Sequence, residues 1–111
     1  RSLAEFDAIC GALALPAVAL PASRPLPIPT LLLSGTLDPV TPPSRAERVL
    51  PVLPRAQHIV VRNAGHIVSG TGCAPSLLRR FLDAPTQPVD PACLADNPVP
   101  AFQTDTAGAA P

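Results

Sequence analysis

Seventeen prolines in 111 residues decide what this chain can fold into, because each one fixes φ and removes a backbone hydrogen-bond donor. Regular structure is confined to the windows between them. From Leu15 to Pro29, prolines at 16, 21, 25, 27 and 29 predict an extended connector. From Ala84 onward, prolines at 85, 88, 91, 98, 100 and 111 with little periodicity predict an irregular tail whose last ten residues are mobile. The expected organisation is an N-terminal helix over 1–14, the connector over 15–29, a folded module over 30–83 and the tail over 84–111.

The remaining composition excludes several classes. Eight basic and eight acidic groups cancel, and every basic residue is Arg, so no broad basic surface is available for a phosphate backbone and nucleic acid is not an expected partner. An apolar fraction of 47% with 14% charged residues is too hydrophobic for a disordered chain. The apolar runs fall short of the ~20 residues of a membrane span, so none is expected. The length suits at most one domain, or a piece of one. The first residue is Arg1 and no signal-peptide pattern follows it. An odd count of three cysteines leaves one without a partner here, which suits a segment of a longer exported protein.

Within the windows, Ser2-Leu3-Ala4-Glu5 has capping-box spacing and predicts a helix from Leu3 to Leu13, with Leu3, Phe6, Cys10 and Leu13 on one face. Thr30 to Ser34 is a short apolar run between Pro29 and Gly35, suited to a strand buried on both faces. Ser44-Arg45-Ala46-Glu47 repeats the capping-box spacing and starts a second helix near Pro43 or Ser44, which Pro51 should end near Leu50 or kink. Gln57 to Arg62 is β-branched and predicts the second strand. Strand, helix, strand implies a right-handed crossover between parallel strands. A last helix is expected from Ala74 or Pro75 to Leu82, with Leu77, Leu78, Phe81 and Leu82 toward the core and Arg79 and Arg80 outward.

In open parallel sheets, reacting groups collect beyond the carboxyl ends of the strands. Asp38 lies four residues past the first strand and His66 four past the second, so the two loops deliver an acid and a histidine to one edge. A carboxylate that orients an imidazole, while the imidazole moves a proton, is the pair that activates a nucleophile. The order acid, then histidine, matches the end of the α/β-hydrolase order. Asp38 before Pro39 is equally suited to a plain turn, and His66 to a loop histidine that ties its own turn. His58 reads as an exposed or edge residue with no role. Ser34 and Ser69 are near the pair, yet neither lies in a strand-to-helix elbow between glycines, and they read as strand-end and loop residues. Arg45, Arg48, Arg79 and Arg80 read as solvated helix faces.

The segment Pro29 to Pro43, PTLLLSGTLDPVTPP, followed by Asn63-Ala64-Gly65-His66-Ile67-Val68-Ser69 and Gly72-Cys73, resembles the C-terminal module of the tripeptidyl-aminopeptidase-like α/β-hydrolases. The resemblance covers about residues 25 to 95. It implies an α/β fold, the C-terminal part of an α/β-hydrolase with parallel strands and crossover helices, with Asp38 as catalytic acid and His66 as catalytic base. It also implies exported bacterial peptidases or esterases that carry the nucleophilic serine upstream, in an N-terminal portion that partners this one. No G-x-S-x-G and no glycine-rich oxyanion loop occurs in these residues, so the segment alone is expected to be inactive. Two readings follow: part of a secreted serine hydrolase acting on a peptide, with prolyl or small residues, or on a small ester; or a noncatalytic hydrolase-like module that binds through an open sheet edge.

No cofactor is implied. The two histidines and Cys73 lack C-x-x-C, H-E-x-x-H or H-x-x-x-H spacing, so no metal is expected. Cys73 opens the last helix, and Cys93 sits in a proline-rich tail that needs a tether, so a Cys73–Cys93 disulfide is expected. That bond belongs in an oxidising compartment, outside the cytoplasm, in the cell envelope or medium. Cys10 is then either a buried thiol or the partner of a cysteine outside the segment.

Overall fold

The computed structural model describes residues 2–14, 16, 18–19, 21–99 and 101. The expected mobility of residues 102–111 lies outside the described residues. Helix α1 spans Leu3–Leu13, strand β1 Thr30–Gly35, helix α2 Pro43–Glu47, strand β2 Ala56–Val61 and helix α3 Ala74–Asp83, with short 3-10 turns at Leu50–Val52 and Ala92–Leu94. The fold class is α/β.

The start of α1 is closed from both sides. Ser2 Oγ accepts from the Glu5 backbone N–H, and Glu5 Oε2 accepts from the Ser2 N–H at 2.7 Å, so two free donors of the first turn are satisfied. The helix nevertheless buries none of its residues. Leu3, Phe6, Ile9 and Leu13 all remain exposed, and Cys10 is an exposed free thiol rather than a buried one.

β1 and β2 pair in parallel, Thr30 opposite Ala56 and Gly35 opposite Val61. Side chains alternate across a strand, so this register puts Leu31, Leu33, Ile59 and Val61 on one face and Leu32, Ser34, His58 and Val60 on the other. The first face meets α3: Ile59, Val61, Ala64, Val68, Ala74 and Leu77 are buried together, with Leu31, Leu33 and Phe81 packed against them. β1 is half-buried from Thr30 to Leu33 and fully buried only at Ser34 and Gly35, less than a strand covered on both faces.

Local chemistry accounts for three departures from the sequence expectations. The capping box at Ser44 does not form: Pro42 is the N-cap, with no side-chain bond, and Pro43 is the first helical residue, where its fixed φ and missing N–H cost nothing. α2 ends at Glu47 instead of Leu50, because Pro51 cannot donate into an α-helix and the chain continues as the 3-10 turn around it. In α3, Leu82 points to solvent at 75% exposure while Leu77 is buried; one residue past Phe81, it has rotated off the core stripe.

The tail does more than hang on a bond. Cys73 and Cys93 form a disulfide, and Val89 and Leu94 join the core. The Gln57 side chain bonds both the N–H and the carbonyl of Val89, and the Asn97 amide donates to the Arg62 carbonyl at 2.7 Å. The tail is thus pinned to β2 near both ends. No helix of the described residues is long and apolar enough to cross a membrane.

Candidate active site

Two loops leave the carboxyl end of the sheet and are tied to each other before they reach the chemistry. Thr36 N–H donates to the Val61 carbonyl at 3.0 Å, and Leu37 N–H to the Ala64 carbonyl at 2.9 Å. The Asn63 N–H donates to Thr36 Oγ1 at 2.9 Å. Asn63 itself turns the second loop in the left-handed region, φ 56°, a conformation that asparagine tolerates better than most residues. Gly35 supplies the close approach: a Cβ there would fall on the carbonyl oxygens of Ala64 and Gly65.

The consequence is contact between Asp38 and His66. His66 Nδ1 lies 3.1 Å from Asp38 Oδ1 and 3.0 Å from Oδ2. The Asp38 side chain is 3% exposed and that of His66 52%, so the acid is buried behind a ring that faces solvent. Asp38 also closes its own turn, since Oδ1 accepts from the Val40 N–H at 2.8 Å and the Thr41 N–H at 3.0 Å. This is the local bonding that makes Asp a turn former. The turn reading and the site reading of Asp38 therefore describe one conformation. Thr41 Oγ1 donates to Oδ2 at 2.7 Å and stands 3.2 Å from His66 Nδ1.

Burial opposes a charge on Asp38 and pushes its carboxyl up. The Thr41 N–H and hydroxyl, His66 and the Val40 N–H together outweigh that cost, and the carboxyl is held well below the ordinary carboxylate range. A group so held is ionised at every pH at which an imidazole changes charge. What the arrangement can do is fix a ring through Nδ1 and leave Nε2, on the far side of the ring, open to exchange a proton.

Other sequence candidates lie elsewhere. His58 is half-buried rather than exposed, and its Nε2 meets Ser34 Oγ at 2.9 Å, which pairs two polar groups on the face of the sheet away from α3. Ser34 is thereby engaged, and Ser69 is exposed. Among the described residues no serine hydroxyl hydrogen-bonds to His66. Nor do three or more His, Cys, Asp or Glu gather there in a way that could hold a metal ion. A groove of about 500 Å³ between β2 and the tail, lined by His58, Val60, Arg62, Asp90 and Leu94, includes neither Asp38 nor His66. Thr41 escaped the sequence reading, although its place three residues after an aspartate is a spacing at which a hydroxyl can return to the carboxylate.

Against known proteins, residues 2–93 match a family model described as TAP-like protein. No curated protein and no solved structure matches the chain.

Proposed function

The chain belongs to the TAP-like family of α/β-hydrolases, and from that premise we propose that it is the acid-and-base portion of a serine hydrolase, with Asp38 as acid and His66 as base. The observation that carries this reading is the bond from half-exposed His66 Nδ1 to buried, ionised Asp38. The chemistry follows from it. As a serine oxygen attacks the substrate carbonyl, Nε2 of His66 accepts the serine proton, and Asp38 stabilises the imidazolium without taking the proton itself. Nε2 then returns that proton to the leaving amine or alkoxide, and the resulting acyl-enzyme is open to water by the same route.

The serine and its oxyanion donors lie outside these 111 residues in this reading. Its support is the absence of G-x-S-x-G from the sequence and the engagement of Ser34 with His58. The isolated segment is accordingly inactive, since groups of a triad act as a unit. The substrate is a peptide cleaved from its amino end, with a small ester as the alternative, a preference that rests on the resemblance of the two loop motifs to tripeptidyl aminopeptidases. Export to an oxidising compartment is supported by the Cys73–Cys93 disulfide.

The test is made in the protein that carries this segment together with its serine. Asp38→Asn is expected to lower kcat by ~10⁴ by disturbing the ring's tautomer, and His66→Ala to lower it by several orders of magnitude, both with the fold intact. A folded His66→Ala enzyme that hydrolyses aminoacyl and acyl esters as fast as wild type would sink the assignment.

A further inference from the structure

We infer that Thr41 is a positioning residue that locks His66 in the tautomer with its proton on Nδ1, through the hydrogen-bonded triangle of Thr41 Oγ1, Asp38 Oδ2 and His66 Nδ1. The sides of that triangle are 2.7 Å from Oγ1 to Oδ2, 3.0 Å from Oδ2 to Nδ1 and 3.2 Å from Oγ1 to Nδ1.

A hydroxyl has one proton to donate. The carboxylate has none, and the 2.7 Å contact is the shortest at the site, so the Thr41 proton lies in the charge-assisted bond to Oδ2. What Thr41 then turns toward Nδ1 is a lone pair. His66 Nδ1 consequently faces three acceptors, Oδ1, Oδ2 and Oγ1, none with a proton to offer. Every contact is attractive only when Nδ1 carries the hydrogen. In the other tautomer three lone pairs would face a fourth.

The carboxylate alone favours the same tautomer, but less firmly. Its Oδ1 is held by two backbone donors, whereas among the described residues Oδ2 has Thr41 as its one fixed donor besides the ring. Remove the hydroxyl and the carboxylate can swing about Oδ1, carrying Oδ2 away from the ring. Thr41 is suited to the task because a β-branched side chain is stiff at χ1. The value of the lock for catalysis rests on the proposed roles of Asp38 and His66, while the tautomer is a property of the folded chain alone.

Two-bond nitrogen–proton correlation on the 111-residue chain labelled with ¹⁵N-histidine reads the tautomer directly, in alkaline buffer with the ring neutral. A His66→Asn variant identifies the His66 signals by their loss. The wild type is expected to show a protonated Nδ1 and an unprotonated Nε2. Thr41→Val should raise the share of the other tautomer several-fold and move both His66 nitrogens toward their average, and Thr41→Ser should restore the wild-type pattern. A wild type protonated on Nε2 overturns the inference even where Thr41→Val does not fold. So does a folded Thr41→Val chain with the wild-type pattern, or a Thr41→Ser chain that behaves like Val. An absent lock with hydrolysis still dependent on His66 removes the role of Thr41 and leaves the acid–base reading standing. A present lock with hydrolysis indifferent to His66 does the reverse.

Discussion

Asp38 shows how one side chain satisfies two demands at once. Its carboxylate accepts the two backbone donors of its own turn and the Thr41 hydroxyl, and still reaches the imidazole. These bonds hold its pKa below the ordinary 3.8, and the sign of the resulting stability follows. A carboxyl depressed in the folded state contributes fully above its unfolded pKa, and the contribution is lost as pH falls through the folded value. The share of the stability difference between wild type and Asp38→Asn that comes from this carboxyl's own titration should therefore persist undiminished from neutral pH down to about 4 and shrink only in stronger acid. Urea melts of both chains at a series of pH values measure it, and a difference that shrinks between pH 8 and 5 would contradict the bonding described. At this scale Asp38 and His66 were legible because parallel strands deliver their following loops to one edge. Thr41 was not, since its spacing of three residues after Asp38 permits the hydroxyl to return to the carboxylate but does not require it. His58, read as exposed or edge, lies on a strand with one strand neighbour among the described residues and is half-buried, because strand alternation says which face a residue shares, not what covers that face.

Between elements, the site depends on how closely two loops can approach. Gly35 ends β1 where a Cβ would press on the Ala64 and Gly65 carbonyl oxygens, and these are backbone atoms that cannot swing aside. Gly35→Ala should cost about 1–3 kcal/mol, the usual range for forcing a methyl into a packed site. By parting the Asp38 and His66 loops it should also lower turnover more than KM, which a comparison of kcat and Tm in the serine-bearing protein would show. The sequence marked Gly35 only as the end of a strand, because close approach depends on a partner 29 residues away. The strand-helix-strand order and the span of α3 were readable from periodicity. The shortness of α2 and the docking of the tail were not. Pro51 put the stop near Leu50, whereas α2 ends three residues earlier at Glu47, and Val89 reaches the core from irregular backbone and Leu94 from a single 3-10 turn, both too short of regular structure for a period to mark an inward side chain. That docking has a measurable consequence. Closing the 20-residue separation between Cys73 and Cys93 is worth about 3 kcal/mol by the chain-entropy argument, and the bond shares the tail with two buried apolar anchors. Cys93→Ser should therefore lower the unfolding midpoint and speed proteolysis after Ala84. It should not release the tail completely while Gln57 and Leu94 hold it, so limited proteolysis that cuts mutant and wild type alike would show the tether to be redundant.

At the scale of the whole molecule, large apolar side chains are left uncovered. These uncovered side chains belong to identifiable places. α1 presents Leu3, Phe6, Ile9 and Leu13 to solvent, the connector presents Leu26 and Ile28, and Val60 stands on the sheet face away from α3. β1, meanwhile, has one strand partner among the described residues, which leaves its other edge open to a further chain. An open strand edge beside exposed apolar side chains is the kind of surface that a further part of a fold covers. The 111-residue chain on its own should accordingly bind a fluorescent apolar dye, sediment above its monomer mass at micromolar concentration, and lose both properties when the proposed serine-bearing portion is supplied. It should also be silent toward aminoacyl and acyl esters until that portion is present. A monomeric chain with a sharp cooperative melt and no dye binding would mean that the exposed faces of α1 and β1 are tolerated as they stand, and would favour an autonomous binding module over half of an enzyme.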